Sequence, residues 1–252
     1  MAFSFHFRRR LKEGKPLTGA IQALNSPEVT EILAAVGFDW LWVDLEHSAI
    51  DVPGLQRILQ AAGTYCPCLV RSPSHREVWI KKILDAGPAG IIVPRVNSAE
   101  EAAAIVGFCR YPPEGCRSVG LSRAQGYGLT FQEYVDHAND DIALILQIEH
   151  IAAVKAIADI VKVPGVDALL VGPYDLSASM GKTGRVTDPE VQQHIEIVRQ
   201  VCLKAGMPLG IFTTRPEEVK PLIEKGYRLI GVGVDSLYLG QALKQALETI
   251  RQ

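Results

Sequence analysis

Four short runs in this chain end in residues able to bind an ion, hold an anion or move a proton. They are Val43-Asp44-Leu45-Glu46-His47, Val70-Arg71, Gln147-Ile148-Glu149-His150 and Val171-Gly172-Pro173-Tyr174-Asp175. Glu149 and Asp175 supply two carboxylates and leave most positions of a cation's shell open. That suits a hard divalent ion such as Mg²⁺ or Mn²⁺, which keeps waters or takes substrate oxygens. Arg71 offers a planar fork that matches a carboxylate through two parallel hydrogen bonds. His47, with Asp44 or Glu46 close by in sequence, is a base whose tautomer a carboxylate would fix. Cation, fork and base together suit removal of a proton next to a carbonyl and stabilisation of the enolate. The cation contributes as a Lewis acid, and the base adds about 10² to 10⁴ in rate. Each residue also has a structural role open to it. Asp175-Leu176-Ser177 looks like a helix start, a lone histidine is commonly a hydrogen-bonded structural residue, and Arg71 alone would pair with a neighbouring carboxylate. What makes a site of them is that all four ends would meet on one face.

Eight apolar runs, each followed by a helical pattern, would position them. The runs are Leu17 to Leu24, Trp40 to His47, Cys66 to Arg71, Gly90 to Val96, Ile142 to Glu149, Ala168 to Pro173, Pro208 to Phe212 and Leu229 to Val234. Amphipathic stretches such as Pro27 to Val36, Val52 to Ala62, Glu77 to Ala86 and Ala99 to Cys109 lie between them, several closing on glycine. Ser26 and Ser98 stand where N-caps belong. Eight such units in 252 residues predict an α/β fold, a single (β/α)8 TIM barrel spanning residues 1–252, with active-site residues at the C-terminal ends of the strands. The alternative is a doubly wound sheet, but no G-x-G-x-x-G follows the first run. A short N-terminal helix is expected over Phe5 to Glu13 and a last helix over Ser236 to Arg251. The Arg110 to Thr130 connection, before a helix over Phe131 to Ala138, is long enough to suggest a functional loop.

Composition removes other classes. A net charge of −2 excludes a strongly basic nucleic-acid binder, and no run approaches the roughly 20 apolar residues of a membrane span. The arginines near the N-terminus precede no apolar stretch of the kind a signal peptide needs. The five cysteines fit no zinc or redox spacing and read as reduced thiols of a cytoplasmic protein. None of the eleven lysines falls at a strand end, which disfavours a Schiff-base mechanism.

With its motifs in order from about residue 5 to 250, the chain resembles the HpcH/HpaI aldolase family of metal-dependent class II pyruvate aldolases. The matching segments are Phe38 to His47, Val70-Arg71, Arg110 to Gly115, Gln147 to Glu149, Gly172 to Ser177 and Val232 to Asp235. The resemblance implies reversible cleavage of a 4-hydroxy-2-oxo acid to pyruvate, or a close 2-oxo acid, and an aldehyde, through an enolate. It implies Glu149 and Asp175 as ligands of Mg²⁺, Mn²⁺ or Co²⁺, and Arg71 on the substrate's carboxylate and oxo oxygen. It gives His47, oriented by Asp44, an acid/base role, and sets Gln147, Gly172 and Tyr174 beside the bound 2-oxo acid. It also implies a homo-hexamer, a trimer of dimers in which the last helix is exchanged between subunits. Leu45 and Tyr174 stand where many such aldolases have glycine and alanine, which bears on acceptor preference. His150 is left without a role. One rival is a lyase of CoA thioesters, with Arg117 and Arg123 of the long loop on the nucleotide tail. Others are a non-catalytic 2-oxo-acid sensor and a phosphosugar barrel suggested by Gly231-Val232-Gly233.

Overall fold

In the computed structural model, which describes residues 6–251, the eight apolar runs form one closed sheet. The strands are β1 (Leu17–Gln22), β2 (Trp40–Asp44), β3 (Cys68–Arg71), β4 (Gly90–Val93), β5 (Ala143–Ile148), β6 (Ala168–Val171), β7 (Leu209–Thr213) and β8 (Leu229–Val234). Each pairs in parallel with its sequence neighbours, and β1 closes the ring by pairing with β8. The helices are α1 (Phe7–Lys12), α2 (Pro27–Val36), α3 (Val52–Ala62), α4 (Glu77–Ala86), α5 (Ala99–Cys109), α6 (Phe131–Asp141) and α7 (Ile151–Ile160), followed by α8 (Pro173–Ser179), α9 (Pro189–Ala205), α10 (Val219–Glu224) and α11 (Asp235–Ile250). This is a (β/α)8 barrel, as the strand and helix patterning predicts. Phe5, at the start of the predicted N-terminal helix, lies outside the described residues. Among them, no helix is long and apolar enough to cross a membrane.

The expected caps are present. Ser26 accepts the Val29 N–H and Ser98 the Glu101 N–H, satisfying amide groups that have no partner within the helix. Strand alternation divides the apolar residues into two cores. Leu41, Val43, Val70, Leu144 and Leu146 face the helices. Trp40, Trp42, Leu69, Ile145 and Leu170 fill the barrel, and Phe7 and Leu11 of α1 pack into the same interior cluster. The interior has an aromatic column: Trp40 stacks on Trp42 at 6.0 Å between ring centroids, and Phe212 meets Trp42 edge-on at 6.2 Å. Glycine at position 19 makes the column possible, since a Cβ there would lie 2.5 Å from the Trp40 ring.

Five strands, β1, β2, β4, β5 and β6, end one to three residues before their apolar runs, whereas β3 and β8 end with theirs and β7 runs on to Thr213. After Asp44 the chain turns back on itself. The Asp44 carboxylate accepts the Glu46 and His47 N–H groups, and the Ser48 hydroxyl donates to the Asp44 carbonyl. The Arg110 to Thr130 connection packs at the opposite end of the barrel. Arg110 donates to the Ile142 and Gly165 carbonyls and to Asp167, just ahead of β5 and β6. Arg123 reaches the Leu59 and Ala86 carbonyls near the C-terminal ends of α3 and α4. Arg117 is buried against the Tyr111 ring and paired with Asp85 at 3.0 Å. Within this chain the loop closes the underside of the barrel, and its arginines bond the protein itself. That placement removes the arginines assigned to a CoA tail, because they lie at the end of the barrel away from the strand C-termini.

Candidate functional site

Strand parity carries the polar residues into the mouth. On β2 the inward positions are Trp40, Trp42 and Asp44; on β3 they are Leu69 and Arg71; on β5 they run through Ala143 and Ile145 to Gln147. Register places Asp44 directly beside Arg71 across β2 and β3. The Arg71 fork closes on that carboxylate, with Nε to Oδ1 at 2.8 Å and Nη2 to Oδ2 at 2.7 Å, and its guanidinium lies 5.1 Å over the Trp42 ring. Burial works against ionisation of Asp44, but hydrogen bonding and charge from Arg71 outweigh it and hold the carboxyl below its usual range.

Asp44 therefore orients Arg71 rather than the His47 ring; it touches His47 only through the backbone N–H. The carboxylate beside the imidazole is Glu46, with 3.8 Å between its Oε2 and His47 Nε2, and 3.4 Å from Oε2 to Arg71 Nε. The sequence offers Asp44 or Glu46 as the carboxylate for His47 and the resemblance gives that place to Asp44; the structure sets Glu46 beside the ring. The Glu46 Oε2 is buried and accepts no hydrogen bond. Burial, with the nearby charges of Asp44 and Asp175, raises its pKa despite Arg71 and His47.

Glu149 lies just past β5. Its Oε1 accepts the Arg95 N–H at 2.7 Å and its Oε2 accepts the Gln147 side-chain amide. Arg95 donates from the left-handed region, at φ 58°, a conformation few residues other than glycine adopt. Gly172 gives the carboxylate room, since a Cβ there would come within 2.9 Å of Glu149 and Gln147. Burial first, then the charges of Glu46 and Asp175, push the Glu149 pKa up to about 7. Asp175 sits exposed in the first turn of α8.

Asp44, His47, Arg71, Gln147, Gly172, Tyr174 and Asp175 line one cavity of about 300 Å³, so the structure brings these predicted residues to one mouth. Glu149 does not line this cavity; its carboxylate lies beside Gly172 and Gln147, which do. Two positions singled out in the sequence fall elsewhere. Leu45 is buried in the core between sheet and helices, and His150 caps α7 by accepting the Ala152 N–H at Nδ1.

The mouth suits a divalent cation. Three carboxylates repel one another there, one buried carboxylate oxygen accepts no hydrogen bond, and the donor set is all oxygen, as Mg²⁺ and Mn²⁺ prefer. Among the described residues no three His, Cys, Asp or Glu side chains form a ready metal cluster. A cation held by Glu149 and Asp175 would complete its shell from water and substrate.

Barrel, arginine fork and carboxylate-lined mouth define a (β/α)8 enzyme built to act on a small oxygen-rich anion. Residues 19–242 match the family described as HpcH/HpaI aldolase/citrate lyase, and the chain belongs to that family. It is similar to a hydroxypyruvate/pyruvate aldolase of Paraburkholderia phytofirmans, 37% identical over 99% of this chain and 98% of the relative. A 4-hydroxy-2-oxo-heptane-1,7-dioate aldolase of Klebsiella pneumoniae is 40% identical over 93% of this chain and 89% of its own. The crystal structure of an HpcH/HpaI aldolase/citrate lyase family protein from Burkholderia cenocepacia superposes with a TM-score of 0.93 at 34% identity, covering 98% of this chain and 99% of that one.

Proposed function

We propose that this protein is a carbon–carbon lyase, a divalent-metal-dependent aldolase. It reversibly cleaves a 4-hydroxy-2-oxo acid to pyruvate or a related 2-oxo acid and an aldehyde. The observation that carries this reading is a buried, preset Arg71 fork and the Asp175 carboxylate in one cavity, with the Glu149 carboxylate against its Gln147 and Gly172 lining. The aldolase names of relatives at 37–40% identity support it.

Glu149 and Asp175 would hold the cation, whose Lewis acidity favours the enolate form of a bound 2-oxo acid. Arg71, immobilised by Asp44 and stacked on Trp42, keeps its remaining N–H groups for the oxo and carboxylate oxygens. Gln147 lies alongside. Tyr174 would offer a first-turn N–H of α8, which lacks a helical acceptor, to the carboxylate, while the Gly172 N–H is held by the Ile148 carbonyl and its missing side chain leaves room beside Gln147 and Glu149. His47, at the solvent edge with Glu46 behind it, removes the proton from the carbon next to the carbonyl and returns one during cleavage. With no lysine on any of the eight strands, this scheme uses no Schiff base.

The test is retro-aldol turnover. Incubated with Mn²⁺ and racemic 4-hydroxy-2-oxo acids, the chain releases pyruvate to a lactate dehydrogenase couple, and a chelator stops it. Absence of release across such a series would remove the aldolase reading.

We also propose that the enzyme works as a hexamer, a trimer of dimers, in the cytoplasm. The support for assembly is α11, which after Asp235 buries none of its residues and presents Leu239, Leu243, Leu247 and Ile250 to solvent in one apolar stripe. The last helix of a barrel ordinarily covers the seam beside its own strand, and exchange between subunits would cover this stripe. Leu243→Asp should then yield smaller species by light scattering. Five unpaired cysteines, four of them buried, agree with a reducing compartment.

A further inference from the structure

The cavity has two unlike walls. Asp44, Arg71 and Gln147, from β2, β3 and β5, make one side polar, with Asp175 above them. The arc contributed by β7, β8 and β1 is apolar: Phe212, Val234 and Ile21, roofed by Tyr174. Phe212 is fixed from below by Trp42 and from the side by Tyr174, whose centroid is 6.4 Å away. The Tyr174 side of this wall is 44% exposed at the mouth, where a ligand enters.

We propose that the apolar arc is the acceptor subsite, and that it selects an uncharged aldehyde with an apolar tail over a semialdehyde ending in a carboxylate. The inference rests on the aldolase reading and deepens it. With the 2-oxo acid on Arg71, the aldehyde carbon must approach the carbon deprotonated by the His47 system. That carbon–carbon bond forms as the carbonyl electron pair moves to the aldehyde oxygen, which takes up a proton. The aldehyde tail then lies against the remaining wall.

Arg71 is the one lysine or arginine among the described residues lining the cavity, and two of its N–H groups are committed to Asp44. A second carboxylate would find Asp44 and Asp175 instead of a cation, and would be desolvated against Phe212 without a partner. The adjoining cavity outside β7 contains two cations: Arg215, which Glu218 holds, and Lys225, which follows the C-terminal end of α10, away from the strand C-termini. The dioate aldolase relative, by its name, must release a four-carbon semialdehyde with a terminal carboxylate. This arc is not built for that product.

The deciding experiment compares butanal with succinic semialdehyde, which match in carbon count and differ in the terminal carboxylate. The full chain is supplied with Mn²⁺ and pyruvate, and kcat/KM is measured for each. The expected ratio is at least about thirtyfold in favour of butanal, in line with the cost of an unpaired buried carboxylate. Phe212→Arg, which adds a cation to the arc, should reduce that ratio at least about tenfold. A wild-type ratio of one or less overturns the inference, whatever the variant does. Pyruvate methyl-proton exchange in D₂O, measured on the same sample, separates the two failures. Exchange with the wrong preference overturns the acceptor assignment alone, whereas no exchange overturns the aldolase reading beneath it.

Discussion

The two ends of the barrel use charge in opposite ways. On the underside, Asp167 is 5% exposed and bonded to Arg8 at 2.6 Å and Arg110 at 3.1 Å, and it also accepts the Leu144 N–H. Arg110, Arg117 and Arg123 likewise spend their charge on carbonyls, carboxylates and ring faces within the protein. At the mouth, Glu46, Glu149 and Asp175 crowd together with too few cations, and a buried Glu46 oxygen accepts nothing. Satisfied charge holds a fold together. Charge left unsatisfied in a cavity lowers stability and is retained where a ligand completes it.

Substitutions at the two ends should therefore separate activity from stability. The largest effect is expected at Arg71. Arg71→Ala should lower turnover on the order of 10³-fold, about 4 kcal/mol of transition-state stabilisation, with a near-native circular dichroism spectrum. Turnover within tenfold of wild type would show that the fork is only an ion pair. On the underside, Arg110→Ala strips one partner from a buried carboxylate and should cost about 3 kcal/mol in urea unfolding. Per folded molecule its turnover should stay unchanged. A fall in activity without a fall in stability would break the contrast between the ends.

The raised pKa of Glu149 gives a third prediction, smaller and specific in sign. Between about pH 4.5 and 7 the metal-free folded chain keeps this carboxyl protonated while the unfolded chain ionises it, so the folded state binds more protons. Glu149's contribution to stability is thus present at low pH and lost as pH rises through about 7. Glu149→Gln should stabilise the metal-free protein by roughly 2 kcal/mol at pH 8 while abolishing metal-dependent turnover. Because a cation displaces that proton, Mn²⁺ affinity in calorimetry should rise about tenfold per pH unit up to neutrality. A flat profile would show that Glu149 is ionised without the metal. The smallest expected effect is at Glu46: Glu46→Gln should slow proton exchange about tenfold and shift its pH profile, leaving the melting temperature nearly unmoved.

Much of this molecule is legible in its residues because the relevant signals are local. Eight apolar runs, serine caps at Ser26 and Ser98, and glycines after α2, α3 and α4 give the barrel, since periodicity and capping depend on near neighbours. The convergence of Asp44, Arg71, Gln147 and Asp175 follows from polar strand ends on a barrel face. What escapes the sequence depends on partners distant along the chain. Asp44 is three residues from His47, yet parallel register gives its carboxylate to Arg71. Arg95 acts through a backbone N–H in a conformation no residue type announces. The arginines of the long loop read as ligand-binding until the fold puts them under the barrel. Glu46 stands in the sequence as an alternative to Asp44 beside His47, and only the turn after β2 decides between them.

In the proposed mechanism this mouth makes an enolate from a 2-oxo acid with the help of a divalent cation. The most direct measurement is loss of the pyruvate methyl-proton signal in D₂O, followed by NMR with Mg²⁺ or Mn²⁺ and then with excess chelator. Exchange that requires the cation and disappears in Arg71→Ala is the predicted result. Exchange that persists under chelation, or its absence at saturating pyruvate and metal, would contradict it.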